Sequence, residues 1–218
     1  MIGGDAFDDP RAGVVESLGG TPSGTGRPPA SPVRALLPPR AGRYVGALDT
    51  AADRGFERLR GSALADGVFY GASAVADFSI LWHAVATLRA LGGERQRREA
   101  RRLTTALALE SVLVNGLVKA LFRRTRPVVE EERSRWLRQP RSSSFPSGHA
   151  SAGFLAATLL TDGRRAGAPL WYGLATVVAA SRVHVRIHHA SDVVAGAVVG
   201  ASLGHLARRL WPVPPVSG

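Results

Sequence analysis

Residues 193–210 read VVAGAVVGASLGHLARRL, and the spacing of their glycines decides the fold class. Gly196, Gly200 and Gly204 recur every four residues, so they share one face of a helix. Small residues at this interval let two helices approach closely inside lipid. In water the same glycines would each cost roughly 1 kcal/mol relative to alanine. The stretch therefore predicts a helix packed within a membrane bundle.

Four apolar segments precede it: GVFYGASAVADFSILWHAVATL (67–88), LTTALALESVLVNGLVKALF (103–122), GHASAGFLAATLLT (148–161) and GAPLWYGLATVVAAS (167–181). The first two reach the ~20 residues needed to cross a bilayer. The last two are short enough for a buried helix of a soluble protein to compete. The expectation is an all-α fold, a polytopic membrane helical bundle of about five transmembrane helices. A mean hydropathy of only +0.02 fits once the polar N-terminal region is considered, because that region dilutes it.

The charge pattern agrees with this reading. There are 28 basic and 17 acidic residues, giving a net charge of +11 and a pI near 11.5. Lys119 is the only lysine; the other 27 basic residues are arginines. They cluster between apolar runs, as in ERQRREARR (94–102) and RRTR (123–126). Membrane loops fit this placement better than a nucleic-acid-binding face, and no RNA- or DNA-binding signature is present. Without cysteine, disulfides and thiolate metal sites are excluded.

Residues 1–43 hold seven of the 14 prolines and eight of the 25 glycines, which predicts a disordered tail. No continuous apolar run follows the start, so a secretory signal is not expected. Residues 44–61 suit a short amphipathic helix, either lying at a membrane surface or solvated. The helical domain is expected over 62–211, with a short C-terminal tail at 212–218. Asp77, His83, Glu110 and Asn115 lie within the long apolar segments. They are costly in lipid and should face the bundle interior, chiefly as structural partners.

Alternating the helices across a membrane brings particular polar residues to one rim. Lys119 ends the second segment, and Arg126 and Pro127 follow it. Ser147, Gly148 and His149 start the third, in the turn-forming run RSSSFPSGHAS (141–151). Arg182 closes the fourth, and His188 and Asp192 open the fifth. Lys119, Arg126 and Arg182 supply positive charge suited to phosphate oxygens. The backbone N–H groups of Ser147 and Gly148, at a helix N-terminus, suit an anion. Asp192 is one helical turn beyond His188 and can fix its tautomer, leaving the other nitrogen free to attack. His149 can then protonate the departing oxygen. His188 and His189, with His184 four residues before His188, would also allow zinc, but three histidines with no nearby carboxylate except Asp192 make a poor site.

KALFRRTRP (119–127), PSGH (146–149) and SRVHVRIHHASD (181–192) resemble the three signature motifs of the type 2 phosphatidic acid phosphatase superfamily. The resemblance runs from 119 to 192 in the family's order, without gap or substitution. It implies that His188 forms a phosphohistidine, oriented by Asp192, and that His149 protonates the leaving alkoxide and later helps activate water. It further implies that Lys119, Arg126, Arg182, Ser147 and Gly148 hold the phosphoryl oxygens. Pro127 and Pro146 would shape the loops. No metal or other cofactor would be needed. The implied partners are a lipid phosphate or diphosphate and the bilayer.

Two alternatives share the motifs: a vanadate-dependent haloperoxidase-like oxidoreductase, and a non-catalytic membrane protein that binds an anion. Small size and membrane-length helices count against the first, and an oriented nucleophile against the second. Arg123 and Arg124 are expected as interfacial anchors, and Glu130 to Glu132 as a solvated loop. His83, His184, His189 and His205 are expected to be structural or to border the substrate. The arginines of the opposite rim place that rim in the cytoplasm and the site outside. Abundant arginine, alanine and glycine point to a high-GC bacterial genome, and so towards a polyprenyl or other cell-envelope lipid.

Overall fold

The computed structural model describes residues 38–122, 124–127, 142–163 and 165–214. Most of the expected tail, together with Arg123, Glu130 to Glu132 and Arg164, lies outside these residues. Among these residues seven α-helices follow in order: α1 (Pro39–Glu57), α2 (Ala63–Val75), α3 (Ile80–Ala90), α4 (Glu94–Leu121), α5 (Gly148–Leu160), α6 (Ala168–His184) and α7 (Ala190–Leu210). No strand occurs among the described residues.

Helix α5 is the centre of the bundle, packed against α4, α6 and α7. Ten of its 13 residues are buried, so none of its sides is left as a broad lipid-facing surface. This explains why the 148–161 segment is short: it need not match the bilayer thickness. The glycine seam of α7 lies directly on it. A Cβ on Gly196 or Gly200 would collide with the backbone carbonyls of Ser147 and Ser151, so only glycine permits this separation. On the other side, Trp82 of α3 is 1% exposed and packs with Ala86, Leu103, Leu107, Leu155 and Ala175.

Two helices, α4 and α7, are long and apolar enough to cross a membrane. Both turn large apolar side chains outward, including Leu109, Leu117, Val194 and Val198, as a bilayer-facing surface requires. Within α4 the turns widen to π-helical over Val112–Val118, a feature frequent beside functional sites.

The 67–88 segment is not one straight helix. α2 and α3 meet at 68°, through a 3₁₀ turn at Asp77–Ser79. Ser79 takes a left-handed conformation, with φ at 59°. Taken together the pair is long and apolar enough to be a third candidate crossing. α1 begins at Pro39, so residues 39–43 belong to it and not to the tail. Proline suits this position, because the first amides of a helix have no intrahelical partner.

Candidate active site

The candidate site is built first by the turn between α6 and α7. After His184, Arg186 adopts φ 54°, a left-handed conformation that costs roughly 1 kcal/mol or more. The chain doubles back, and the amides of Ile187 and His188 both donate to the Arg182 carbonyl, at 3.1 and 3.0 Å. Arg186 is itself held by Glu57 of α1. His188 is thereby turned inward and is only 2% exposed.

Asp192 stands behind it in the first turn of α7. One carboxylate oxygen, Oδ2, accepts the His189 amide at 2.9 Å and lies 3.6 Å from His188 Nδ1. The other ring nitrogen, Nε2, is 3.3 Å from Arg126 Nη1. Burial pushes the His188 imidazole down to about 3, and Asp192 only partly opposes that. His188 is therefore neutral around pH 7 and keeps the lone pair that a nucleophile needs.

Arg126 is positioned by its own loop. It donates to the carbonyls of Ile187 (2.8 Å), Ser142 (3.2 Å) and Ser143 (3.3 Å). Burial lowers its pKa from the usual arginine value. The strands of loop at 124–126 and 142–146 are tied together: the Ser144 amide donates to the Arg124 carbonyl at 3.0 Å, and its hydroxyl to that of Thr125 at 3.1 Å. Pro127 continues the first and Pro146, in a cis peptide, ends the second.

The third wall comes from α5. Ser147 caps it, its hydroxyl accepting from the Ala150 amide. Gly148 sits against the Asn115 side chain, where a Cβ would come within 2.8 Å of Oδ1. His149 Nε2 lies 2.9 Å from Asp77 Oδ1. Arg182, 1% exposed, is held by the Ser73 hydroxyl.

These elements enclose a cavity of about 760 Å³. Lys119, Arg126, Gly148, His149, Arg182 and His188 all line it. So do Asp77, His83, Glu110 and Asn115, the four polar residues expected to face the interior. Three cations and two imidazoles thus share one space. Such an arrangement can hold a phosphate and present a nitrogen nucleophile to it.

Four of the residues selected from the sequence lie outside the cavity lining: Asp192, Ser147, Pro127 and Pro146. The Ser147 amide is committed to the Asp192 carbonyl at 3.0 Å, so it joins α5 to α7. Gly148 alone of that pair lines the cavity.

Arg124 is not the exposed interfacial anchor expected from its sequence position. Its side chain is 8% exposed; Nη1 binds Asp192 and Nη2 lies 2.7 Å from Asp49 of α1. Asp49 also accepts from the amide and hydroxyl of Ser191, at 2.8 and 3.0 Å. A signal for this was present in α1. Asp49, Asp53 and Glu57 repeat every four residues, one acidic stripe on one helix face. All three find arginines: Arg124 for Asp49, and Arg60 and Arg186 for the other two. His184 is structural: its Nε2 is 2.7 Å from Asp66 Oδ1, among the rings of Phe56, Phe69 and Tyr70.

The family model described as the PAP2 superfamily matches residues 99–213. Decaprenylphosphoryl-5-phosphoribose phosphatase of Mycobacterium tuberculosis is 35% identical over 139 residues, covering 62% of this chain and 73% of the relative. The crystal structure of Aquifex aeolicus LpxE is similar at a TM-score of 0.60 and 25% identity, over 72% of this chain and 92% of that one. A transmembrane PAP2 type phosphatidylglycerolphosphate phosphatase from Bacillus subtilis shares the fold at a TM-score of 0.56 and 18% identity, over 81% and 88%.

Proposed function

This chain belongs to the PAP2 superfamily, and from that premise we propose that it is an integral membrane phosphatase acting on a lipid phosphate or diphosphate, with a polyprenyl chain as its lipid. The observation that carries the proposal is the convergence of His149 and His188 on one cavity with Lys119, Arg126 and Arg182. Similarity to a phosphatase named for a decaprenyl-linked substrate favours the polyprenyl class.

The chemistry follows from the positions. Lys119, Arg126, Arg182 and the first amides of α5 at Gly148 hold the phosphoryl oxygens. They stabilise the charge of the transition state, the part a metal plays elsewhere, so hydrolysis proceeds without one. His188 Nε2 attacks phosphorus as the bond from phosphorus to the lipid oxygen breaks, and His149 supplies that oxygen's proton. Water then attacks the phosphohistidine, the N–P bond breaks, and His149 takes the proton from water. Asp192 keeps the His188 tautomer throughout. The protein crosses the cell membrane several times, with the active site on the extracytoplasmic side.

Phosphate release from prenyl phosphates and diphosphates in detergent, with chelator present, tests this reading. Wild type should release phosphate with chelator and be inhibited by vanadate. His188→Ala should lose at least about 10³-fold, by analogy with removal of other covalent nucleophiles. Undiminished turnover by that variant would reject the nucleophile, and loss of wild-type activity to chelator would reject metal-free hydrolysis.

A further inference from the structure

The geometry points to Asp77 as the positioning residue for His149, matching the part Asp192 plays for His188. The inference rests on the role proposed for His149 as proton donor. Asp77 lies outside the three motifs and outside residues 99–213, where the family model matches. Nothing in the spacing of 119–192 announces it.

A straight helix through 67–88 would carry Asp77 along its own course; instead the chain breaks at Asp77–Ser79 and turns by 68°. Ser79 takes the left-handed conformation there, which costs roughly 1 kcal/mol or more in a residue other than glycine. The break leaves Asp77 on the cavity wall, with Oδ1 2.9 Å from His149 Nε2 and 3.9 Å from Arg182 Nη1. One turn earlier, Ser73 holds the same arginine. The end of α2 and the 3₁₀ turn after it thus set one phosphate-holding cation and the acid, respectively.

The chemical consequence concerns which nitrogen works. A carboxylate at Nε2 accepts the hydrogen bond from that N–H and fixes the tautomer. Nδ1 is then the nitrogen that carries the mobile proton to the leaving oxygen, and that later receives the proton of water.

A positioning role for the acid predicts dependence on the leaving group. An alkoxide must be protonated as it departs; a nitrophenolate, a far weaker base, has little such need. Asp77→Asn is therefore compared with wild type on farnesyl phosphate and on 4-nitrophenyl phosphate, with His149→Ala in parallel. Asp77→Asn should lose about 10²-fold or more in kcat on the farnesyl ester and less than about tenfold on the nitrophenyl ester. Asp77→Glu should recover part of the farnesyl activity. If Asp77→Asn is not obtained folded, Asp77→Glu carries the comparison with a smaller but still selective loss. Equal losses on both esters for the Asp77 variant, with a selective loss for His149→Ala, would overturn this inference alone. Equal losses for His149→Ala as well would overturn the proton-donor role on which it rests.

Discussion

Arg124 Nη2 lies 2.7 Å from Asp49 Oδ2, and this pair fastens helix α1 to the turn that carries His188. The same guanidinium grips Asp192 with its other nitrogen, so a single buried arginine spans two carboxylates. Removing one partner of a buried pair leaves a stranded charge, at a cost of about 3–5 kcal/mol. Arg124→Ala should lower thermal stability in detergent accordingly and reduce phosphate release, because Asp192 loses its tether. Arg124→Lys should recover little, since an ammonium cannot fork between two carboxylates as a planar guanidinium does. A variant with wild-type melting and turnover would show that α1 contributes nothing to the site.

Acid sensitivity follows from the buried His188. Its folded-state pKa is pushed down to about 3, whereas an unfolded histidine titrates near 6.5. Between those values the unfolded chain binds more protons than the folded one, so stability rises with pH. The contribution is complete above about pH 6.5 and is lost progressively as pH falls towards 3. Melting temperatures measured from pH 7 to pH 4 should fall for wild type and fall less for His188→Gln. Parallel curves for the two proteins would refute the assignment of that acid sensitivity to this imidazole.

What the sequence made legible follows from how the fold encodes it. The three motifs are local strings with fixed intervals, and each lies at a helix end that alternation sends to one rim. The glycine interval of α7 likewise maps directly onto a helix face. By contrast, Arg124 reads the same whether it faces headgroups or a buried carboxylate, because its partner Asp49 is 75 residues away. The break at Asp77 left no mark in composition, since 67–88 is long and apolar without glycine or proline at the bend. Asp77 could be assigned to the interior from its cost in lipid, but its pairing with His149 is a tertiary contact across 72 residues. Ser147 showed the reverse: its motif position suggests a phosphate ligand, while its amide is already committed to Asp192.

The glycine seam allows a paired test. Gly200 of α7 meets the Ser151 backbone, which cannot yield as a flexible side chain would, whereas Gly173 of α6 has open space where a Cβ would go. Gly200→Val should therefore destabilise the bundle by about 1–3 kcal/mol or more, the usual range for overpacking. Gly173→Ala should be tolerated and should raise stability by about 0.5–1 kcal/mol, through helix propensity. Thermal unfolding in detergent measures both. Equal effects at the two positions would mean that close approach of α5 and α7 is not what the seam provides.

Absence of cysteine makes the membrane orientation directly testable, because one introduced thiol is a unique label. Thr125 is exposed beside the site, while Gly93 is exposed at the opposite rim, where it precedes α4. Several arginines of that far rim are engaged in ion pairs, Arg102 with Asp162 and Arg95 with Glu99 among them. Pairing does not remove their influence on orientation, since the rule counts arginine and lysine and not net charge. A thiol from Thr125→Cys should therefore react with an impermeant maleimide on intact cells, and one from Gly93→Cys only after permeabilisation. The opposite pattern would put His149 and His188 in the cytoplasm, and the substrate's phosphate would then have to be presented from the inner leaflet.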